Sequence, residues 1–459
     1  MTHIIVTVSK YILIILFAIY TYDCFAALVN SKNEERANRL YRKQTTLMFM
    51  ILTLAHSVMY LVKLDIRIIG LLVVEAVYLT ATLIIFKNMY KYGQKSLVNN
   101  MCMLLTISFI ILARLDIDKA IRQFMLACVA LVITCLIPLF VQKMKSLNRL
   151  AYLYAAVGFL LLLLVLVAGS RVYGAKINIK IGGIAIQPSE FVKIIYVFFV
   201  AAMFQTAKDF KQLAITTVVA AMHVLILVAS KDLGSAGIFF ITYLCMFVVY
   251  TKKPALLLLG GGGSIVFVWL ADKVFTHVHK RILAWSDPLS VADDAGYQIT
   301  QSLFAIGTGG WFGSGLYQGM PDKIPVVAQD FVFSAISEEL GGFFSLCLIF
   351  VCMSCFLMIF NIALQMNDSF YKMVALGLGS VYATQIFLTI GGVTKFIPST
   401  GVTLPLVSYG GSSLLSTTIL FAVVQGLYAK YHLEVMEKKE SELETGKEGR
   451  EETKKRKKG

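Results

Sequence analysis

The sequence predicts an all-α polytopic membrane protein, and three observations carry that expectation. Of its 459 residues, 58% are hydrophobic and mean hydropathy is +0.75, whereas soluble domains hold roughly 45–50% apolar residues. The apolar residues fall in blocks of about 17–25 with few charges, the length a helix needs to cross a bilayer. Lys and Arg gather in alternate connections, the mark of cytoplasmic loops.

Taken in order, the blocks lie at 4–29, 46–62, 68–86, 101–112, 123–141, 150–168, 191–204, 213–229, 238–250, 255–271, 343–360, 374–390 and 414–427. The fourth is short because Arg114 and Asp116 close it early. The first reads as a retained anchor, since no small-residue cleavage site follows Cys24 and a polar stretch opens at Asn30. The first connection carries Lys32, Arg36, Arg39, Arg42 and Lys43; the third Lys87, Lys91 and Lys95; the fifth Lys143, Lys145 and Arg149. Later ones carry Lys208 with Lys211, then Lys252 with Lys253. This alternation puts the odd connections and the C-terminus in the cytoplasm, and the N-terminus and the long polar loop outside.

The net charge of +15 does not indicate a nucleic-acid partner, because the basic residues flank spans, where they set topology and meet anionic membrane lipids. The tail 434–459 interleaves Lys454, Lys455, Arg456, Lys457 and Lys458 with Glu437, Glu440, Glu442, Glu444, Glu448, Glu451 and Glu452, and reads as solvated and unstructured. All eight cysteines fall in or beside apolar blocks, so no disulfide framework is implied, and Cys352 and Cys355 read as packing residues despite their redox spacing. The six histidines, His277 and His279 among them, show no metal spacing.

The loop 272–329, ending in Asp330, is too rich in Gly, Tyr, Trp, Phe and Ile for a linker, so it is expected to fold over the membrane face and carry chemistry. Ionisable residues in or beside spans are site candidates. Glu190 and Lys193 share a helix face, as a cap and ion pair or as a polar cavity. Asp232 is a turn acceptor or a site residue, and Lys395 snorkels or binds. The run 405–413, with Ser408 and Ser412, permits close helix approach or holds an anionic oxygen. Asp330 stands directly before a span, where it caps the helix or serves as a base with a raised pKa. Glu338 and Glu339 invite a basic partner from a neighbouring span.

These residues occur in blocks: Gln187-Pro188-Ser189-Glu190 with Lys193; Asp232-Leu233-Gly234; Arg281 before Asp287-Pro288; Gly296-Tyr297-Gln298; Gln301-Ser302; Ala305 to Gly310; Asp330-Phe331; Glu338-Glu339-Leu340-Gly341; and Leu404 to Ser412. In order and spacing they resemble the SEDS family of cell-wall proteins, which includes RodA, FtsW and SpoVE. The resemblance implies a ten-helix core at 101–433 with a large extracytoplasmic loop at about 272–335. About three accessory helices within 1–100 would precede it. It implies polymerisation of lipid II into glycan strands at the outer face of the cytoplasmic membrane, beside a class B penicillin-binding protein.

By position Asp330 matches the family's essential aspartate and would be the general base. Arg281, Lys193 and Lys395 would neutralise the pyrophosphate, with Glu190, Asp232, Gln298 and Ser408 as further substrate-binding residues. A divalent cation, Mg or Mn, would assist, although no dedicated metal site is visible. The family's Arg-Trp pair is replaced here by Ile177 and Asn178, with Lys176 or Lys180 as substitute charges, and Val326-Val327-Ala328-Gln329 replaces polar residues ahead of the aspartate. The alternatives are a lipid II transporter, which would favour broken midplane helices and internal repeats, and an inactive scaffold for the penicillin-binding protein.

Overall fold

The computed structural model describes residues 2–30, 33–90, 93–143, 147–172, 175–181, 184–207 and 209–456. Lys32, Lys91, Lys145, Lys208, Lys457 and Lys458, used in the charge reading, lie outside the described residues. Three helices open the chain: α1 (Thr2–Val29), α2 (Glu34–Lys63) and α3 (Ile66–Met89). Next come α4 (Lys95–Leu115), α5 (Ile117–Lys143), α6 (Ala151–Ala168), α7 (Pro188–Thr206), α8 (Phe210–Ala229), α9 (Leu233–Thr251) and α10 (Ala255–Val274). The loop holds α11 (Thr276–Ser286) and α12 (Tyr297–Gly309), and the chain ends with α13 (Val332–Gln365), α14 (Ser369–Val393) and α15 (Gly411–Arg456). Among the described residues, 13 helices are long and apolar enough to cross a membrane, one for each apolar block.

Sequence-local chemistry sets many of the ends. Asn33, Asp65 and Asp368 accept backbone N–H bonds at the starts of α2, α3 and α14. Pro188 occupies the first turn of α7, where its missing N–H costs nothing. Helix α10 is peripheral: Leu258 is 81% and Ile265 73% exposed, as a lipid-facing surface would be.

The block at 101–112 proved to be the middle of a longer helix. Helix α4 runs from Lys95 to Leu115 through the centre of the bundle, and its apolar window is wholly buried. The large polar side chains toward its ends, Asn99, Asn100 and Arg114, are admissible there because each has a partner. Asn100 accepts from the Tyr20 hydroxyl at 3.0 Å and donates to Ser354 Oγ at 2.6 Å. Asn99 donates to Gln44 Oε1 at 3.0 Å, and Arg114 binds Glu339 through Nε at 2.8 Å.

Two further findings depart from the sequence reading. A small antiparallel sheet, β1 (Ser170–Val172), β2 (Ala175–Ile181) and β3 (Ile184–Ile186), stands between α6 and α7. Its signal was the alternation of Ile177, Ile179 and Ile181, the period of a strand. The tail expected to be unstructured continues α15 as helix to Arg456, since Glu, Lys and Arg are good helix formers.

The loop is stitched to α13 at a break. Gly341 has φ +89° and interrupts the helix, which frees the carbonyls of Glu338 and Glu339. The amides of Ser314 and Gly315 donate to those carbonyls at 2.9 and 2.8 Å, while Gly342 and Phe343 donate back to Gly310 and Trp311. A Cβ on Gly313 or Gly341 would collide with this backbone, so the close approach requires glycine. Helices α1–α3 pack on this core rather than standing apart: Phe17 meets Phe344 with ring centroids 4.4 Å apart, and the Tyr78 hydroxyl donates to Ala127 O at 3.2 Å.

Candidate active site

At the loop end of the bundle, the connection 394–410 between α14 and α15 is the hub of the candidate residues. Gly401, with φ +74°, sits beneath two of them: an added Cβ there would lie 3.6 Å from Asp330 Oδ2 and 3.7 Å from Arg281 Nη2. Arg281, on α11, is fixed by donating from Nη1 to Ser399 O at 3.1 Å. No hydrogen bond or ion pair joins Arg281 to Asp330 among the described residues. Burial pushes the Asp330 carboxyl up to about 6, against the lowering pull of Arg281. Burial likewise lowers the Arg281 guanidinium, against the opposing pull of Asp330 and then Asp232. Asp330 does not cap α13, because Phe331 holds the cap position and no side chain bonds there.

Asp232 caps α9: its Oδ1 accepts from Ser235 N at 3.1 Å and its Oδ2 from Ser189 Oγ at 3.2 Å. Burial raises its carboxyl, and these hydrogen bonds oppose the rise. The turn-acceptor role weighed for Asp232 is met, and its carboxylate also acts electrostatically on Arg281.

Glu190 and Lys193 form a closed pair in α7. Lys193 Nζ donates to Glu190 Oε2 at 2.6 Å and to Gln385 Oε1 at 2.7 Å, and Ser416 Oγ donates to Glu190 at 2.8 Å. Gln385 Nε2 then donates to Thr403 O at 3.1 Å, carrying the order of this pair into the hub. Two of the three N–H donors of the Lys193 ammonium are thus spent inside the protein.

The Ser408 hydroxyl donates to Gln329 O at 2.5 Å and accepts from Leu404 N at 2.9 Å, so it fastens the chain leading to Asp330. Tyr409 N adds a bond to Ala328 O at 2.7 Å. Ser412 accepts from Gln187 N at 3.0 Å.

Lys395 contributes its backbone, whose carbonyl accepts from Trp285 Nε1 at 3.1 Å. Its amine has no hydrogen-bond or ion-pair partner among the described residues, and neither has the side chain of Gln298 in the first turn of α12. Lys176 donates to Leu166 O at 2.9 Å, which ties it to the end of α6 and not to the hub. Ile177 and Asn178 lie in β2, and Lys180 is exposed. Gly174, which opens that stretch, lies outside the described residues.

The residues 326–329 that replace polar family positions line a cavity of 380 Å³ with Asp116, Lys119 and Asp322. Val326 adopts φ +58°, a costly conformation for a β-branched residue. Gln385, Gln123 and Arg114 escaped the sequence reading of the site. A glutamine inside an apolar block was signal enough for the first two. Gln123 donates to Ser408 O at 3.1 Å and so holds the same hub.

A family model described as "Cell cycle protein", that of FtsW, RodA and SpoVE, matches residues 95–432. The chain belongs to the FtsW/RodA/SpoVE family. The match opens with the first residue of α4, so α1–α3 precede the shared family core. The peptidoglycan glycosyltransferase RodA of Mycobacterium tuberculosis is 34% identical over 334 residues, 66% of this chain and 69% of that protein. Stage V sporulation protein E of Bacillus subtilis is 37% identical over 283 residues, 58% of this chain and 74% of that protein. A solved chain described under "Structural coordination of polymerization and crosslinking by a peptidoglycan synthase complex" superposes with a TM-score of 0.63 at 24% identity, covering 74% of this chain and 98% of that one. RodA of Thermus thermophilus gives a TM-score of 0.55 at 23% identity, covering 73% of this chain and 96% of that one. These structures confirm the all-α polytopic fold of an FtsW/RodA/SpoVE protein.

Proposed function

We propose that this protein is a peptidoglycan glycosyltransferase that polymerises lipid II at the outer face of the cytoplasmic membrane. The observation that carries the reading is the half-buried Asp330, unpaired by any hydrogen bond among the described residues, facing Arg281 across Gly401. Its raised pKa suits a base near neutral pH. The 4-hydroxyl oxygen of the acceptor sugar attacks the anomeric carbon of a lipid-linked donor. The bond from that carbon to the pyrophosphate oxygen breaks with inversion, and Asp330 takes the hydroxyl proton. Arg281 neutralises charge developing on the leaving pyrophosphate. Glu190, Lys193 and Ser408 hold the frame. Asp232, beside Arg281, orients the guanidinium.

A resident divalent cation does not fit this site. Among the described residues no three potential ligands converge, and the guanidinium of Arg281 neighbours both Asp330 and Asp232. No step is routed through Mg or Mn.

The charge alternation supports an extracytoplasmic N-terminus and a cytoplasmic C-terminus. The relative solved in a peptidoglycan synthase complex supports a class B penicillin-binding protein as partner. The test is polymerisation of labelled lipid II by purified protein and its Asp330→Asn variant, with that partner present. Wild-type product that disappears in the variant supports the base. Equal activity removes it, and inactivity of both turns the reading to the scaffold. Lipid II scrambling in liposomes independent of Asp330 turns it to the transporter.

A further inference from the structure

Helices α1–α3 lie ahead of the family match, yet two of them converge on one segment of the loop. Lys10, on α1, sends its ammonium to the carbonyl of Gly313 at 2.7 Å. The next residue, Tyr11, packs on Phe312 with ring centroids 5.5 Å apart, and Val6 fills the space beside Gly315. From α2, the Lys63 ammonium stands 4.9 Å from the centre of the Tyr317 ring. That ring also receives the Arg114 guanidinium of α4 at 4.7 Å. Arg114 in turn binds Glu339 at 2.7 Å and faces Asp322 at 3.6 Å.

The segment so gripped is poor in conformational support of its own. Gly313, Gly315 and Tyr317 all have positive φ. A non-glycine residue such as Tyr317 keeps that conformation only where its surroundings over-determine it. Here the surroundings are two cations from separate helices. A lysine that merely snorkelled would end in headgroups or water. Lys10 instead ends on a backbone carbonyl 303 residues further along the chain. The same stretch of chain continues through Asp322 and the 326–329 cavity wall into Asp330.

We propose that α1 and α2 form a built-in clamp for the loop, with Lys10 and Lys63 as positioning residues that set the path of the chain ending at Asp330. Tyr317 is where the clamp and the family core meet. This rests on the reading of Asp330 as base. Misplacement of a catalytic group by an ångström costs up to about 100-fold in rate, so a clamp remote from the chemistry acts on turnover more than on substrate binding.

The test uses the full chain with Lys10→Met, Lys63→Met and both together. The initial rate of lipid II polymerisation is measured against lipid II concentration, and amide hydrogen exchange is followed along the whole chain. The double variant is expected to lose about tenfold in kcat with KM within about twofold, a fraction of the cost of full misplacement. Exchange should quicken over 311–323 and stay unchanged in α7 and α9. Arg at both positions should restore rate and protection, and Tyr317→Leu should reproduce the loss from the loop side. Unchanged exchange over 311–323 would overturn the clamp. So would uniformly faster exchange across all helices with a lowered Tm, which would make the lysines general supports. The exchange result decides the clamp even if Asp330→Asn keeps polymerising and the base assignment fails.

Discussion

Two acid–base neighbourhoods sit at the loop end of the bundle, and they are built in opposite ways. Glu190 and Lys193 are in contact at 2.6 Å, both buried, and each has a further hydrogen-bond partner. Asp330 and Arg281 are half-buried and, among the described residues, face one another without a bond, Arg281 spending a donor on Ser399 instead. A closed pair spends its shortest contacts inside the protein, so it organises the structure around it. An open pair keeps its carboxylate available and carries the cost of burying it.

The largest effect should come from opening the open pair. Asp330→Asn is expected to lower the rate of lipid II polymerisation by about 10²–10⁴-fold, the usual contribution of a positioned base. Its folded pKa is raised, so Asp330 favours the fold below its unfolded pKa and loses that contribution as pH rises through about 6. The same Asn variant should therefore show a Tm at pH 8 equal to or above that of wild type. A clear fall in Tm would make Asp330 a structural residue.

Breaking the closed pair should do the reverse, costing stability first. Glu190→Gln or Lys193→Met leaves an uncompensated buried partner, a loss of about 3–5 kcal/mol. Thermal unfolding in detergent reads it, and an unchanged Tm would remove the contrast between the pairs.

Arg281→Met is expected to lower the rate about 10–100-fold, less than removing a full electrostatic contact of about 10²–10³. It should also move the acid limb of the pH–rate profile upward. In wild type the rate should rise through about pH 6 as Asp330 ionises, with Arg281 holding that value down. A limb that shifts downward or stays put would detach Arg281 from Asp330. The smallest effect belongs to Lys395→Met, whose amine has no partner among the described residues: the rate should stay within about twofold.

The spans were legible because a bilayer demands long apolar runs, which need no knowledge of neighbours. The ends of α4 were not, because Asn100 is admissible only through Tyr20 and Ser354, remote in the chain. The same reason hid the commitments of Lys193 and Ser408: motifs show that a residue matters, while only the fold shows whether its atoms remain free. Asp330 stood out by its apolar sequence neighbours, Val327, Ala328 and Phe331, and burial is what raises its pKa. The positioning of Arg281 opposite it, through Ser399 and Gly401, had no local signature.

The break in α13 fixes how far this protein's loop can change in length. Residues 310–315 supply amides and carbonyls in register with Glu338 to Phe343. An insertion of one residue there would slip the register and strand carbonyls in a water-poor interior. Between α11 and α12, by contrast, the chain turns over exposed residues such as Leu289, Asp293 and Asp294, whose hydrogen bonds are short-range turn contacts, so that extra length would disturb only the turn itself. Tags, cleavage sites or crosslinkers therefore belong in 287–295, while 310–315 works as a ruler.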